Sequence, residues 1–212
     1  MFDIMIATGN RHKFKELRRL LRLPGIRWRS LTDVPGAPSV KEDGRTFEEN
    51  ATKKAVAVAR ATGGLVLADD SGIEVDALSG SPGIRSARFA GAHGDDQRNN
   101  EKLLRLLGDA PVSQRGARYV CVLALADCSG LLATARGTWR GRIACQSKGR
   151  HGFGYDPIFL VPRFGKTVGQ LSAATKRRFS HRAVAARRMR TTLVRLLRER
   201  RGLARVATPT SP

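Results

Sequence analysis

The fold class of this chain follows from the stretch Phe2-Asp3-Ile4-Met5-Ile6-Ala7-Thr8-Gly9-Asn10, which passes from a strand pattern to a helix start. Residues 2–7 form a short apolar run rich in β-formers, which predicts a strand. Thr8-Gly9-Asn10 breaks this run, and Asn10 is the predicted N-cap of a helix. Apolar residues then recur at helical spacing, at Phe14, Leu17, Leu20 and Leu21. The chain therefore begins with a strand, a tight turn and a helix.

The rest of the chain continues this alternation of helices and strands. Thr46-Phe47-Glu48-Glu49 is a capping box at the start of an alanine-rich helix that ends at Gly63-Gly64. The further predicted elements are a buried strand at Leu65–Ala68, a helix beginning at Asp95 or Asp96, a hairpin at 119–126 and 131–138, a strand at Ile158–Val161 and a helix at Ala183–Leu197, with residues 24–43 irregular. A hairpin within alternating strands and helices predicts an α/β protein with a long mixed sheet flanked by helices.

The composition is typical of a globular protein in a reducing compartment. The 212 residues suffice for one domain, or for two small lobes that share a core. The three cysteines include no C-x-x-C pair, which disfavours both a zinc ribbon and a disulfide scaffold and favours the cytoplasm. The longest uncharged apolar run, Tyr119 to Ala126, is too short to cross a bilayer, and the start of the sequence shows no secretion signal. We therefore expect no membrane partner.

The net charge of +21 is the unusual feature, with 39 Lys and Arg residues against 18 Asp and Glu. Twelve basic residues and one acid, Glu199, fall within Lys176–Pro212. A basic excess attracts nucleic acids, nucleotides or anionic lipids, but an arginine-rich proteome would also place arginine at any solvated position. Charge alone leaves the partner open. Residues 198–212 are predicted to be a basic, disordered tail that follows a single domain at 1–197.

The first candidate site is the turn Thr8-Gly9-Asn10-Arg11-His12-Lys13. The N–H groups and dipole at a helix start favour an anion, Gly9 permits close approach of a phosphate, and Lys13 adds a positive charge. The alternative is a plain turn from strand to helix, capped by Asn10. The turn lacks the two glycines and the Lys-Ser/Thr pair of the Walker pattern.

The second candidate is the doublet Asp69-Asp70, expected directly after a buried strand. Two adjacent carboxylates are costly in such a place unless they are paired or bound to a cation. Mg²⁺ prefers oxygen ligands and takes few carboxylates when phosphates supply the others. Glu42 or Asp43 could supply one more carboxylate, and Ser71 adds a hydroxyl. The alternative is that the aspartates cap a turn.

Two candidates lie near the C-terminal end. In Gly152-Phe153-Gly154-Tyr155-Asp156-Pro157, the aromatic rings could stack on a planar base and Asp156 could accept from ring N–H groups. The alternative is an aromatic plug at a sheet edge. Lys176 and Ser180-His181-Arg182 flank the start of the last helix. Ser180 is explained as an N-cap, whereas the helix does not need His181 or Arg182. Together these candidates indicate a nucleotide site.

These motifs resemble those of the inosine triphosphate pyrophosphatase family, and they extend from residue 7 to residue 182. The matching stretches are Ala7-Thr8-Gly9-Asn10 with Lys13 and Glu16; Thr46-Phe47 with Glu49-Asn50-Ala51 and Lys54-Ala55; Ala68-Asp69-Asp70-Ser71-Gly72 with Glu74-Val75-Asp76-Ala77-Leu78; Pro82-Gly83 with Ser86-Ala87-Arg88; Gly152 to Pro157; and Ser180-His181-Arg182.

The resemblance implies a homodimeric enzyme with its substrate in a cleft between two lobes. Such an enzyme cleaves ITP, dITP and XTP between the α- and β-phosphates and uses Mg²⁺. The residues that match the family site are Thr8 to Lys13 for phosphate, Glu42 and Asp70 for metal, Asp70 as the catalytic base, Ser71 for substrate, and Phe153, Gly154, Tyr155, Asp156, Lys176, His181 and Arg182 for the nucleotide and its base.

The side chains suggest how such a site would work. Asp70 can take a proton from the attacking water, and Asp69 is expected to orient its neighbour. Arg182 only donates hydrogen bonds, so it favours the 6-oxo group of inosine or xanthine over the 6-amino group of adenine.

Two alternatives differ from this prediction in substrate or in class. A septum-associated pyrophosphatase of the related superfamily would prefer pyrimidine nucleotides, and the matched motifs disfavour it. A nucleic-acid-binding protein would need basic residues interleaved with exposed aromatics, and the last helix has no aromatic residue after Phe179. We expect no specific nucleic-acid partner.

Overall fold

The computed structural model describes residues 1–34, 36, 38–91 and 94–206, and for residues 201–206 it describes the backbone only. The strands are β1 (Phe2–Ala7), β2 (Ile26–Ser30), β3 (Leu65–Val75), β4 (Gly116–Asp127), β5 (Gly130–Ile143), β6 (Phe159–Val161) and β7 (Lys166–Thr167). The helices are α1 (Arg11–Leu20), α2 (Phe47–Thr62), α3 (Asp96–Leu107), α4 (Ala173–Phe179) and α5 (His181–Val206), with short 3₁₀ turns between several elements.

These strands form one sheet of mixed direction, in the order β2-β1-β3-β4-β5-β6-β7. β1 pairs in parallel with both β2 and β3, and from β3 to β7 each strand pairs antiparallel with the next. The predicted fold class is therefore confirmed. β2 lies in the stretch that was expected to be irregular, where half-buried Ile26 and Trp28 alternate with exposed Arg27 and Arg29 as in a strand. Positions 35 and 37 of that stretch lie outside the described residues.

β3 is longer than predicted, and this changes the position of the aspartate doublet. The predicted strand Leu65–Ala68 continues to Val75, so Asp69 and Asp70 lie within the strand and not after it. β1 pairs with β3 only as far as Ala68, whereas β4 pairs with it up to Val75. The antiparallel partner therefore keeps β3 extended after β1 has turned away. Asp69 and Asp70 come directly after the last residue that pairs with β1, so within the described part of the chain the edge of β3 that faced β1 is unpaired at these two residues.

Three hydrophobic cores surround the sheet. α1 and α5 cover one face of β1, β3 and β4, and α2 covers the opposite face. The third core joins α3 and β6 to the far ends of β3, β4 and β5. Leu67 belongs to the first core and Ile73 to the third, so the segment from Asp69 to Ser71 lies between these two hydrophobic cores.

α5 extends further than the predicted end at Leu197, because it continues to Val206. Part of the segment predicted to be a disordered tail is therefore helical. Leu197 is buried, and Arg200 forms an ion pair with Asp127 at the turn between β4 and β5, which fixes the next turn of the helix. Residues 207–212 of the predicted tail lie outside the described residues.

The packing of α5 on the sheet depends on Gly137 of β5. A Cβ atom at this position would lie 2.2 Å from the carbonyl oxygen of His181, too close for any side chain. This glycine therefore lets the start of α5, with His181 and Arg182, approach the strands closely. Within the described ranges, no helix combines the length and apolar composition of a membrane span.

Candidate active site

The turn after β1 is organised by Asn10. Its side-chain oxygen accepts hydrogen bonds from the N–H groups of His12 at 2.9 Å and Lys13 at 3.1 Å. The N–H group of Asn10 itself donates to the hydroxyl of Thr8. The prediction that Asn10 is the N-cap of this helix is therefore confirmed. Its side chain occupies the N–H groups of His12 and Lys13, which belong to the turn predicted to bind phosphate. The cation that this turn contributes is Lys13, whose ammonium lies 3.4 Å from a carboxylate oxygen of Asp69.

The doublet Asp69-Asp70 faces two different environments. Successive side chains of a strand point to opposite faces of the sheet, so Asp69 and Ser71 share one face while Asp70 lies on the other. Asp69 meets Lys13 of α1 and Arg182 of α5. Asp70 lies on the face that α2 covers.

Asp70 is a buried carboxylate that is poorly compensated. One oxygen accepts from the N–H of Ser71 at 2.9 Å, and the other is buried without a hydrogen-bond partner. Burial raises the pKa of Asp70 to about 6; the charge of Lys13 opposes this increase, and the charge of Glu42 adds to it. Glu42 itself forms an ion pair with Lys54 of α2. Asp70 and Glu42 are therefore neighbouring carboxylates, and the ammonium groups of Lys13 and Lys54 partly compensate their charge.

Arg88 positions the loop that carries Glu42. Its guanidinium donates to the carbonyl oxygen of Glu42 at 3.1 Å, which fixes the loop ahead of α2. Asn50 of α2 holds the same loop, because its side-chain oxygen accepts from the N–H of Gly44 at 2.7 Å. The amide nitrogen of Asn50 and one oxygen of Asp70 are both buried without a hydrogen bond of regular geometry, but Asn50 acts as a donor that lowers the pKa of Asp70. Asn50 therefore connects the loop of Glu42 to the carboxylate of Asp70.

The face on the other side of the sheet carries a buried ionic network. The carboxylate of Glu16 forms ion pairs with Lys176 at 2.9 Å and with Arg182 at 2.5 Å. Arg182 also donates to the hydroxyl of Ser71 at 2.9 Å, and its Nε lies 3.6 Å from Asp69, too far for a hydrogen bond. Burial opposes ionisation of Asp69, but Lys13 and Arg182 outweigh it and lower the pKa of Asp69 to about 2.

Asp156 completes this network and connects it to the glycine loop. Its Oδ2 accepts from Lys176 at 2.7 Å and from the N–H of Phe153 at 3.0 Å, while Oδ1 accepts from the hydroxyl of Tyr119 at 3.1 Å. Burial raises the pKa of Asp156, and Lys176 opposes this increase. Glu16, Asp69 and Asp156 thus face Lys13, Lys176 and Arg182, so the network has no net charge.

Gly152 is required for this geometry. It has a φ of 85°, and a Cβ atom there would lie 1.9 Å from Oδ2 of Asp156. The glycine loop thereby brings Phe153 over the network, with Lys176 at 4.5 Å and Arg182 at 5.6 Å from the ring centre. His12 stacks on Phe153 at 5.3 Å between ring centres. The ring therefore lies between the turn after β1 and the start of α5.

His181 is a neutral imidazole in this environment. Burial lowers its pKa well below the usual value, and the charges of Arg182, Lys176 and Lys13 lower it further. The ring stacks on Tyr119 at 4.5 Å, and its Nδ1 is buried without a partner. His181 therefore offers one unpaired ring nitrogen near the ionic network.

Two adjoining cavities lie at the residues described above for the two faces of β3. The larger has a volume of about 720 Å³ and includes Glu42, Lys54 and Asp70 in its lining. The smaller has a volume of about 110 Å³, and its lining includes Phe153, Gly154, Tyr155, Asp156, Lys176, His181 and Arg182. Asn10, Lys13 and Ser71 line both. One cleft thus joins an end lined by both carboxylates and cations to an aromatic end beside the neutral ionic network.

The structure brings most of the predicted site residues to this cleft. Thr8, Gly9, Asn10 and Lys13 reach it, whereas Arg11 does not line either cavity, and His12 approaches only through its stack on Phe153. Asp43 is also separate, because it forms an exposed ion pair with Lys53.

Sequence reasoning did not assign a site role to three residues that the structure places here. Glu16 bridges Lys176 and Arg182, and it follows Lys13 by three residues, the spacing that puts two side chains on one helix face. Lys54 forms an ion pair with Glu42, and its place in a matched motif was the available signal. Tyr119 donates to Asp156, but the sequence gives no sign of this role, because Tyr119 begins an apolar run that is typical of a core strand.

This combination of fold and cleft defines a class of protein: a mixed α/β sheet whose cleft joins a carboxylate and lysine end to an aromatic end over a buried ionic network. The sequence profile of the Ham1 family matches residues 4–192 of this chain. The chain belongs to the Ham1 family, and the resemblance found in the sequence is confirmed.

Similar proteins share nearly the whole chain. The dITP/XTP pyrophosphatase of Rhodopirellula baltica is 48% identical over 198 residues, which cover 93% of this chain and 95% of the relative. The dITP/XTP pyrophosphatase of Desulforamulus reducens is 48% identical over 193 residues, which cover 91% of this chain and 96% of the relative.

Solved structures agree with the fold. A HAM1 protein from Coxiella burnetii superposes with a TM-score of 0.83 at 38% identity, covering 92% of this chain and all of the other. A nucleoside-triphosphatase/dITP/XTP pyrophosphatase from Mycobacterium abscessus superposes with a TM-score of 0.72 at 40% identity, covering 92% of this chain and 99% of the other.

Proposed function

We propose that this enzyme hydrolyses noncanonical purine nucleoside triphosphates (ITP, dITP and XTP) to the monophosphate and pyrophosphate, and so removes deaminated purines from the nucleotide pool. The names of the relatives support this activity. The observation that carries the proposal is the continuous cleft whose two ends meet at Lys13 and Ser71. A triphosphate would occupy the larger end and a purine base the aromatic end.

At the larger end, Lys13 and Lys54 supply positive charge for phosphate oxygens. Fixed cations stabilise the negative charge that grows on the leaving pyrophosphate, and they need no reorganisation during the reaction. Asp70 would act as the general base. In the metal-free protein its pKa of about 6 leaves it mostly ionised at neutral pH, so the carboxylate is available to accept a proton.

Mg²⁺ fits this end of the cleft. Asp70 has a buried oxygen without a regular hydrogen-bond partner, and the carboxylate of Glu42 lies close enough to raise the pKa of Asp70. Mg²⁺ characteristically takes one or two carboxylates and completes its shell with waters and phosphate oxygens. Glu42 and Asp70 would therefore hold it. When bound, the ion would neutralise charge on the phosphate oxygens.

At the aromatic end, Phe153 offers a face for the base, and the neutral ionic network suits an uncharged purine. Arg182 uses one N–H for Glu16 and another for Ser71, so other donors of its five remain for a ligand. These donors would favour a 6-oxo group and oppose the 6-amino group of adenine. The unpaired Nδ1 of His181 is a further candidate contact.

The remaining features of the proposal follow from the resemblance and the composition. We expect a homodimer that acts in the cytoplasm. All three cysteines are free in the structure, with Cys121 buried and Cys128 and Cys145 exposed.

The decisive experiment measures pyrophosphate release from ITP, dITP, XTP, ATP, GTP and dUTP, with Mg²⁺ and with EDTA. We expect release from the first three substrates in Mg²⁺ only. Preferred hydrolysis of dUTP would indicate a pyrimidine enzyme of the related superfamily. Release of phosphate in place of pyrophosphate would contradict cleavage between the α- and β-phosphates.

A further inference from the structure

The outward face of α1 is strongly basic. Lys15, Arg18, Arg19 and Arg22 are exposed, and their spacing of three and four residues places them on one side of the helix and its C-terminal end. The opposite side of α1 contributes Leu17 and other apolar residues to the first core. Within the described residues, none of these four cations forms an ion pair.

α5 extends this basic surface. Arg187, Arg190 and Arg198 are exposed, and their spacing of three and eight residues follows one side of the helix. Arg190 donates to the carbonyl oxygen of Arg22 at 3.2 Å, so the two helices meet at these residues. From Arg187 to Arg198 the helix rises about 16 Å. We call the seven cations of α1, Arg22 and α5 the basic face.

Acidic residues do not compensate the basic face. α1 contains one acid, Glu16, which is engaged by Lys176 and Arg182 in the cleft. Glu199 is the single acid among the described side chains of α5, and it lies 3.9 Å from Arg195. The charge of the face must therefore be balanced by solvent ions or by a ligand with many negative charges.

A groove with aromatic walls opens within the basic face. Its volume is about 820 Å³, and it lies between α1 and the edge strand β2. Phe14 and Trp28 line it and are half-buried, and Lys15, Arg18, Arg19 and Arg22 line it as well. Cations beside partly exposed aromatic rings suit single-stranded nucleic acid, because bases can stack on the exposed part of the rings while the backbone follows the charges. This groove is separate from the cleft.

We propose that the basic face binds single-stranded nucleic acid without sequence preference, with the strand crossing the groove between α1 and β2 and continuing along α5. A duplex would hide its bases from Phe14 and Trp28. A second copy of the chain would bring an equally positive surface against the first, which like-charge repulsion opposes. The protein would then carry its hydrolytic cleft on one side of α1 and a polyanion site on the other.

The test uses Trp28 as a local probe. The chain has two tryptophans, so a Trp139→Phe background leaves Trp28 as the sole indole. Titration with oligo(U) and oligo(dT) is expected to quench its fluorescence with similar affinity for both, because neither the 2′-hydroxyl nor the base sequence is recognised. The quadruple variant Arg18→Gln, Arg19→Gln, Arg22→Gln and Arg190→Gln should weaken this binding. The slope of log affinity against log salt should flatten by about 3, since each lost phosphate contact removes about 0.7 for a single strand.

A matched control removes the same charge elsewhere. Arg60, Arg105, Arg140 and Arg142 are exposed on α2, α3 and β5, and none forms an ion pair within the described residues. Their replacement by glutamine in the same background should leave quenching and salt slope nearly unchanged. Both quadruple variants should retain the unfolding transition and pyrophosphate release from ITP, because neither changes the cleft.

Several outcomes would overturn the proposal. Equal weakening in both quadruple variants would show that only overall charge matters, and absent binding at about 0.1 M salt would exclude a specific face. Oligonucleotide binding without quenching would place the strand elsewhere. Binding of phosphatidylserine vesicles but not oligonucleotides would assign the face to a membrane. A change of sedimentation in the Arg18, Arg19, Arg22 and Arg190 variant would identify the face as a subunit interface.

Discussion

Replacement of Asp70 by asparagine should stabilise this protein while it abolishes hydrolysis. Asp70 is buried, one of its oxygens has no partner, and Glu42 lies close enough to disfavour its charge. Asparagine keeps the shape of the side chain and removes the charge. As the general base and a metal ligand, the carboxylate should contribute about 10²- to 10⁴-fold in rate, and the variant should lose that factor.

The size of the stabilisation follows from the pKa. Burial raises the pKa of Asp70 from 3.8 to about 6, so the folded state binds more protons than the unfolded state between these values. The free energy of unfolding therefore falls as pH rises through this window and stays lower above it. The difference corresponds to about 3 kcal/mol at neutral pH, and this is the expected gain from the asparagine. Near pH 5 about half of the gain should remain.

The assay is urea unfolding of the wild type and Asp70→Asn in EDTA, at pH values of about 5 and 7.5, together with pyrophosphate release from ITP in Mg²⁺. Asp43→Asn is the matched control, because Asp43 is exposed and its pKa is lowered by the hydrogen bond from Lys53. That variant should gain no stability and keep its activity. If Asp70→Asn were no more stable than wild type at pH 7.5, the carboxylate would not be a poorly compensated charge; full activity would exclude it as base and ligand.

Three further changes have defined outcomes. Arg182→Ala should reduce kcat/KM for ITP by the equivalent of about 2–3 kcal/mol and affect ATP much less, because a charge-assisted hydrogen bond to the 6-oxo group is lost, and Arg182→Lys should rescue it poorly. Arg182→Ala should also lower stability by about 3–5 kcal/mol, since the buried network of three carboxylates then keeps only Lys13 and Lys176 and one negative charge is uncompensated. Gly152→Ala should impair ITP binding, because its Cβ would displace Asp156. Truncation after Leu197 should leave the kinetic constants for ITP nearly unchanged, because no predicted site residue lies beyond Arg182.

Steady-state kinetics with ITP and ATP, combined with urea unfolding, separate these effects. An equal loss for ITP and ATP in Arg182→Ala would assign Arg182 to phosphate or to structure, and the reading of the base would pass to His181 or Lys176. Gly152→Ser adds the same Cβ atom as Gly152→Ala, so both variants should raise the KM for ITP. A KM near that of the wild type in Gly152→Ser would show that the clash with Asp156 is not the cause. A large loss of activity on truncation would show that the end of α5 contributes to the cleft.

The local pattern of the sequence was sufficient for the elements near the cleft. The capping of α1 by Asn10 and of α2 by Thr46 depends on residues within one turn, so both helix starts were predicted correctly. The motifs also identified the family, because they retain their order along the chain. Boundaries that depend on distant partners were less accurate. β3 extends to Val75 because β4 pairs with it, and α5 extends past Leu197 to a helical turn where Arg200 meets Asp127.

The sequence by itself determined the fold class, the residue types of the site and the excess of positive charge, because periodicity, capping and composition are properties of neighbouring residues. The tertiary structure decided how those residues meet. Only the pleat of β3 separates Asp69 from Asp70, since a step of one residue turns a side chain to the other face of a sheet. Only packing of α5 on α1 brings Arg182 to Glu16, 166 residues away in the chain, and Arg190 to Arg22. Such contacts depend on the relative position of whole elements, which a one-dimensional pattern does not contain.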